Sequence, residues 1–193
     1  TLADPTPRLV GSDRMQRLTG STRRLSGNRI PLWTPAMPTA AVKPAVPPSS
    51  GTNKVVYLPS CASRTMGPMR GAESPDSLAD KTIQLLQKAG FEVILPDTLE
   101  GLCCGMPFQS KGMFAAAEHK RTELNTRHLQ ISEQGQIPIY SDTSPCSLRL
   151  QEGLAPALKL YDSIALIDRF VLSKLDLTPL DTPVATQIPV SSQ

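Results

Sequence analysis

Apolar positions in the middle of the chain fall into two rhythms, one suited to buried strands and one to helices. Lys54-Val-Val-Tyr-Leu58 is a short β-branched run closed by Pro59, as expected of a parallel strand covered on both faces. Ser74-Pro75-Asp76 offers a helix cap with proline at the first helical position, and Leu78, Ile83, Leu85 and Leu86 follow at near-helical spacing until Gly90. Phe91-Glu-Val-Ile-Leu95 predicts a second strand, ending at Pro96. A loop with Gly101-Leu-Cys-Cys-Gly-Met-Pro107 precedes a long helix over 110–131, rich in Ala, Glu, Lys and Arg. Ile137-Pro-Ile-Tyr140 reads as a third strand, Ser141 to Pro145 as a turn into a helix, and 162–172 as a further helix. Strands alternating with helices predict a parallel sheet with right-handed crossovers in a three-layer α/β architecture.

The ends read differently. Within residues 1–30, Arg8, Leu9, Met15, Leu18, Arg23, Arg24 and Leu25 fit one or two short basic amphipathic helices, broken at Gly20 and Gly27. Such a helix docks on a neighbouring domain or on acidic lipid, or it is a solvated linker helix. Pro31, Pro35, Pro38, Pro44, Pro47 and Pro48, with Ser49 and Ser50, predict an extended linker without a packed core. A boundary near Thr52 therefore separates a basic, proline-rich connector, 1–51, from an α/β domain, 52–193.

Composition sharpens this division. Proline, 19 of 193 residues, is about twice its usual frequency, and much of the excess lies in the connector and near the end. With aromatics at 4% of the chain, the core must be built from Ala, Val, Ile and Leu. Residues 1–50 hold seven Lys or Arg against two Asp, and the remainder 13 against 15 acids, so the formal +3 belongs to the connector. That arm has Trp33 as its single tryptophan and no interleaved aromatics, which argues against nucleic-acid binding. No apolar run is long enough for a membrane span and no signal-peptide pattern opens the chain. A soluble, cytoplasmic protein is expected, at most peripheral at the inner membrane face. The chain starts at Thr1 and stops just after an apolar run, as a piece excised from something longer would.

Four cysteines carry the chemistry: Cys61, Cys103, Cys104 and Cys146, with 41 residues between the first two and again between the last two. Without a secretory signal, and with enough chain to form a core, reduced thiols are favoured over disulfides. Each cysteine follows a predicted strand. In an open parallel sheet the strand carboxyl ends share one edge, the edge where ligands bind, so the thiols are expected to converge there. They form a soft donor set for zinc, Cu(I) or an iron–sulfur cluster. Structural zinc usually takes ligands in close pairs two to four residues apart; an adjacent pair from one loop plus two distant cysteines suits a larger cluster better. Gly105 lets the backbone approach such a cluster, and its amide, with those of the helices starting near Ser110 and Pro145, is placed to donate to sulfur. Small buried side chains are the plainer reading of the same cysteines.

Cys61, then Cys103-Cys104-Gly105, then Cys146 resembles the cysteine-rich domain of the heterodisulfide reductase and glycolate oxidase iron–sulfur subunits. Leu58-Pro-Ser-Cys-Ala-Ser-Arg-Thr-Met-Gly67, Gly101-Leu-Cys-Cys-Gly-Met-Pro-Phe-Gln-Ser-Lys-Gly112 and Ser141-Asp-Thr-Ser-Pro-Cys-Ser-Leu-Arg149 are most similar to the first such repeat of fused flavin-dependent D-lactate (D-2-hydroxyacid) dehydrogenases. The resemblance covers residues 52–193, with 1–50 like the preceding connector. It implies an electron-transfer module, inactive alone, with Cys61, Cys103, Cys104 and Cys146 as ligands of an iron–sulfur cluster. Its partners would be a flavin (FAD) domain, a ferredoxin-like segment, a second cysteine-rich repeat and an electron acceptor. This chain has neither a flavin-binding glycine pattern nor a ferredoxin-type cysteine run. The family pattern ends in Cys-x-x-Cys, but Arg149 stands where a fifth cysteine would fall; four thiolates still suffice for one 4Fe–4S cubane. The stretch 183–192 looks like strand entry into a second repeat.

Other readings stay open: a zinc-bound or metal-free structural domain, and thiol–disulfide chemistry at Cys103 and Cys104, against which the strain of a vicinal disulfide counts. His119 and His128, nine residues apart, fall on opposite faces of one helix and read as surface or packing residues. Asp142 and Lys111 border the expected edge, where they tune a cluster or, more plainly, cap a turn and meet solvent. No Ser-His-Asp array or phosphate-cradling glycine loop is visible.

Overall fold

Val55, Val56 and Tyr57 are wholly shielded from solvent, which makes their strand the centre of the sheet. The computed structural model describes residues 11–179 and 181–183. Strand β1 (Asn53–Leu58) pairs in parallel with β2 (Phe91–Ile94) on one side and with β3 (Ile139–Ser141) on the other. A two-residue β4 (Leu160–Tyr161) extends the sheet beyond β3, giving the order β2-β1-β3-β4 with every pair parallel. Flanked by helices, this is a three-layer α/β fold, as the alternation of strands and helices predicts. Chain direction across the sheet reverses between β1 and β3, which makes their carboxyl ends the switch point of the topology.

Helices follow in chain order: α1 (Ser12–Leu25), α2 (Cys61–Thr65), α3 (Leu78–Lys88), α4 (Met106–Gln109), α5 (Phe114–Ile131), α6 (Ser144–Gln151) and α7 (Ser163–Leu166). A π-helical turn over Ile167–Val171 and a 3-10 turn over Leu172–Lys174 continue from α7. One face of the sheet supplies Val56, Leu58 and Ile139 to a core with Leu102, Cys104, Leu124, Leu150 and Leu158. On β1 and β3 the rings of Tyr57 and Tyr140 stack with centroids 5.3 Å apart.

The described residues form two compact units, one of 11–44 and 62–81 and the other of 45–61, 82–179 and 181–183. In the first, Trp33 is buried under the Arg70 guanidinium, 5.9 Å from its centroid, and Ala40 bridges Met66 in antiparallel fashion. Part of the proline-rich stretch is therefore packed, because it has partners in 62–81 that its own composition does not reveal. The second unit holds the whole sheet and all four cysteines.

Local chemistry moves several predicted boundaries. Helix α1 runs through Gly20 without a break and ends before Gly27, which takes a left-handed φ of 62°. The start of α3 is set by Ser77 rather than Ser74: Ser77 Oγ accepts from the Asp80 amide at 3.2 Å while Asp80 Oδ2 accepts from the Ser77 amide at 3.0 Å, a reciprocal capping box. The long helix starts at Phe114, not near Ser110, after Gly112 turns left-handed at φ 74°. β4 is too short for a period to show. Residues 184–193, most of the stretch expected to enter a second repeat, lie outside the described residues. Among the described residues no helix is long and apolar enough to cross a membrane.

Candidate thiol site at the sheet edge

All four cysteines lie beyond strand carboxyl ends. Cys61 opens α2 just after β1, Cys103 and Cys104 occupy the loop between β2 and α4, and Cys146 sits in the first turn of α6 after β3. Cys104 is buried within the core, the other three are half-buried, and all four are thiols rather than disulfides.

The thiols bear on one another's protonation, Cys146 chiefly on Cys104, and Cys61 and Cys104 on Cys103. Cys61 also points its thiol to the Leu102 carbonyl at 4.0 Å, and Cys103 Sγ accepts the Gly105 amide at 3.4 Å. Three segments, after β1, β2 and β3, therefore bring the four cysteines to one edge of the sheet.

These contacts set the charge. Donation from the Cys146 thiol, with amides of Met106 and of Cys104 itself, brings the Cys104 thiol down to about 6 despite burial. Cys146 keeps its proton: its hydrogen bond to Cys104, then burial, pushes it far above the ordinary thiol range. Burial also raises Cys103, against the Gly105 amide. Cys104 is therefore held as a thiolate more readily than Cys103 or Cys146.

Two backbone devices hold the arrangement. Gly105 adopts φ 87°, and a Cβ there would stand 2.4 Å from the Ala117 carbonyl oxygen on α5. Its missing side chain is thus demanded by helix packing as well as by the sulfur contact. At the switch point, Asp142 Oδ1 accepts the Ser60 amide at 3.0 Å and its Oδ2 accepts the Tyr57 hydroxyl at 2.7 Å. Thr143 Oγ1 adds a third bond to Oδ1 at 3.0 Å. Asp142 therefore ties the residue before Cys61 to the loop that leads into Cys146. Sequence reasoning placed Asp142 at the edge but missed this bridge, whose partners lie more than 80 positions away.

Arg149, where the resemblance implies a fifth cysteine, is buried and paired with Glu152 at 2.8 Å and Glu118 at 3.4 Å. His119 is exposed and His128 buried, as opposite helix faces require, and Lys111 is exposed.

Among the described residues, no group of three or more His, Cys, Asp or Glu encloses a point where a metal ion would sit. The chemistry of the four cysteines nonetheless suits a soft metal or cluster: four sulfur donors, one already a thiolate near neutral pH. Family models, curated proteins and solved structures give no match to this chain.

Proposed function

We propose that the α/β domain is a thiol-ligated electron-transfer module of a larger flavin-linked oxidoreductase of the D-lactate or D-2-hydroxyacid dehydrogenase class. Cys61, Cys103, Cys104 and Cys146 would hold an iron–sulfur cluster, most simply one 4Fe–4S cubane. One observation carries this reading: three loops bring all four cysteines to the carboxyl edge of a parallel sheet, around its switch point, where such folds bind their ligands. The resemblance of the three cysteine segments to the cysteine-rich repeat adds the redox class.

A bound cluster would store and pass single electrons. The chain's own residues prepare for it. Cys104 arrives deprotonated, so loading displaces fewer protons; the Gly105 amide, donating to Cys103 sulfur, spreads negative charge off the ligand set. Asp142 keeps Cys61 and Cys146 on one edge. The flavin and ferredoxin-like domains, a second repeat and an electron acceptor are the partners this reading implies, in the cytoplasm. Anaerobic reconstitution with iron and sulfide tests it: broad visible absorption that bleaches on reduction is expected in wild type and is lost in Cys104→Ser. Zinc bound in place of iron would favour a structural domain instead.

A further inference from the structure

Between the end of β2, the loop after it and the last turns of α5 lies a cavity of about 260 Å³ that the thiol site does not use. Ile94, Leu102 and Ile131 give it apolar walls, while Asp97 and Arg127 stand exposed at its rim, one anion against one cation. Leu102 and His128 are the most shielded of its lining residues and so form its inner end. His128 is 1% exposed, and neither ring nitrogen has a hydrogen-bond partner among the described residues. Burial lowers its pKa to about 4, which leaves the ring neutral near pH 7. A neutral imidazole carries one N–H donor and one acceptor nitrogen, and burying such groups unpaired is costly. Here that cost sits in a cavity wall, where a bound molecule offsets it.

We propose that this cavity binds a small uncharged ring bearing a hydroxyl, a molecule of the phenol class, with its hydroxyl on the His128 imidazole. A hydroxyl is donor and acceptor at once, so it answers whichever ring nitrogen faces it. The apolar walls take the ring, and a volume just below the usual range of ligand pockets limits the occupant to a small molecule. A rigid ring also gives up little conformational freedom on binding. A carboxylate here would gain from Arg127 and lose to Asp97, and at the inner end a neutral imidazole offers it no countercharge. The pocket needs no loaded cluster: of the walls named, only Leu102 adjoins a cysteine, and binding rests on His128 and the cavity rather than on the function proposed above.

Calorimetric titration of the full chain with phenol and with toluene, a ring of similar size without the hydroxyl, tests the assignment. Phenol should bind at least about tenfold more tightly than toluene. NMR locates the site: the chain has two histidines, and phenol should shift the His128 ring signals while those of exposed His119 stay in place. In His128→Leu, a side chain of similar size, phenol should lose about tenfold in affinity while toluene binds at least as well as before. Phenol without effect on His128 at millimolar concentration, equal affinity for both rings in wild type, or phenol affinity unchanged in His128→Leu would each overturn the proposal.

Discussion

The hydroxyl of Tyr57 donates to Asp142 at 2.7 Å, joining the central strand to the end of its neighbour across 85 positions of sequence. Burial and the Asp142 charge hold Tyr57 protonated well above its ordinary range, so the bond persists at any working pH. With the Ser60 amide on the other oxygen, this carboxylate is the clamp of the switch point.

Removing the clamp should cost stability and loosen the thiols together. Asp142→Ala leaves the Tyr57 hydroxyl and the Ser60 amide without their acceptor, which should lower unfolding free energy by about 1–3 kcal/mol. Tyr57→Phe should cost less, because Asp142 keeps two of its three donors. Urea titration gives the stabilities. Bifunctional thiol reagents should link Cys61 to Cys103 less efficiently in Asp142→Ala than in Tyr57→Phe, and equal efficiency would separate Asp142 from the site.

His128 predicts a pH dependence outside the site. It is buried, neither ring nitrogen has a hydrogen-bond partner, and desolvation lowers it from 6.5 to about 4. The unfolded chain therefore binds a proton that the folded chain refuses. Stability from this group is complete above pH 6.5 and falls as pH drops from there through 4, by about 3 kcal/mol in all. His128→Leu should flatten that slope and raise stability at pH 7; an unchanged slope in the variant would assign it to other groups.

The charge at Cys104 depends on Cys146. In metal-free protein, thiolate absorption should appear with a midpoint near 6, and Cys146→Ala should move it upward by removing the strongest donor. A midpoint unmoved by the variant would mean that the amides alone set it.

Gly105→Ala should be among the more destabilising single changes in the domain. Its φ of 87° is strained for any other residue and the new methyl would meet the Ala117 carbonyl. About 1–3 kcal/mol is expected from the backbone strain alone, read as a lowered thermal midpoint with the thiol contacts disturbed as well.

Much of this architecture was legible from short-range pattern. Val55 and Val56, Phe91 and Val93, and Ile139 carry strand signals in their own neighbourhoods, and strand position then sends every cysteine to one edge. Long-range chemistry was hidden. Nothing near Asp142 names Ser60 or Tyr57 as its donors, and nothing near Trp33 reveals Arg70. Helix α1 passes Gly20 because one glycine costs only about 1 kcal/mol in a helix interior.

The metal content of anaerobically reconstituted protein tests the central claim most directly, with Cys104→Ser beside it. Wild type should hold about four iron and four sulfide per chain, and the variant far less. About one zinc without iron, or a metal-free wild type with all four thiols still titratable, would contradict the account.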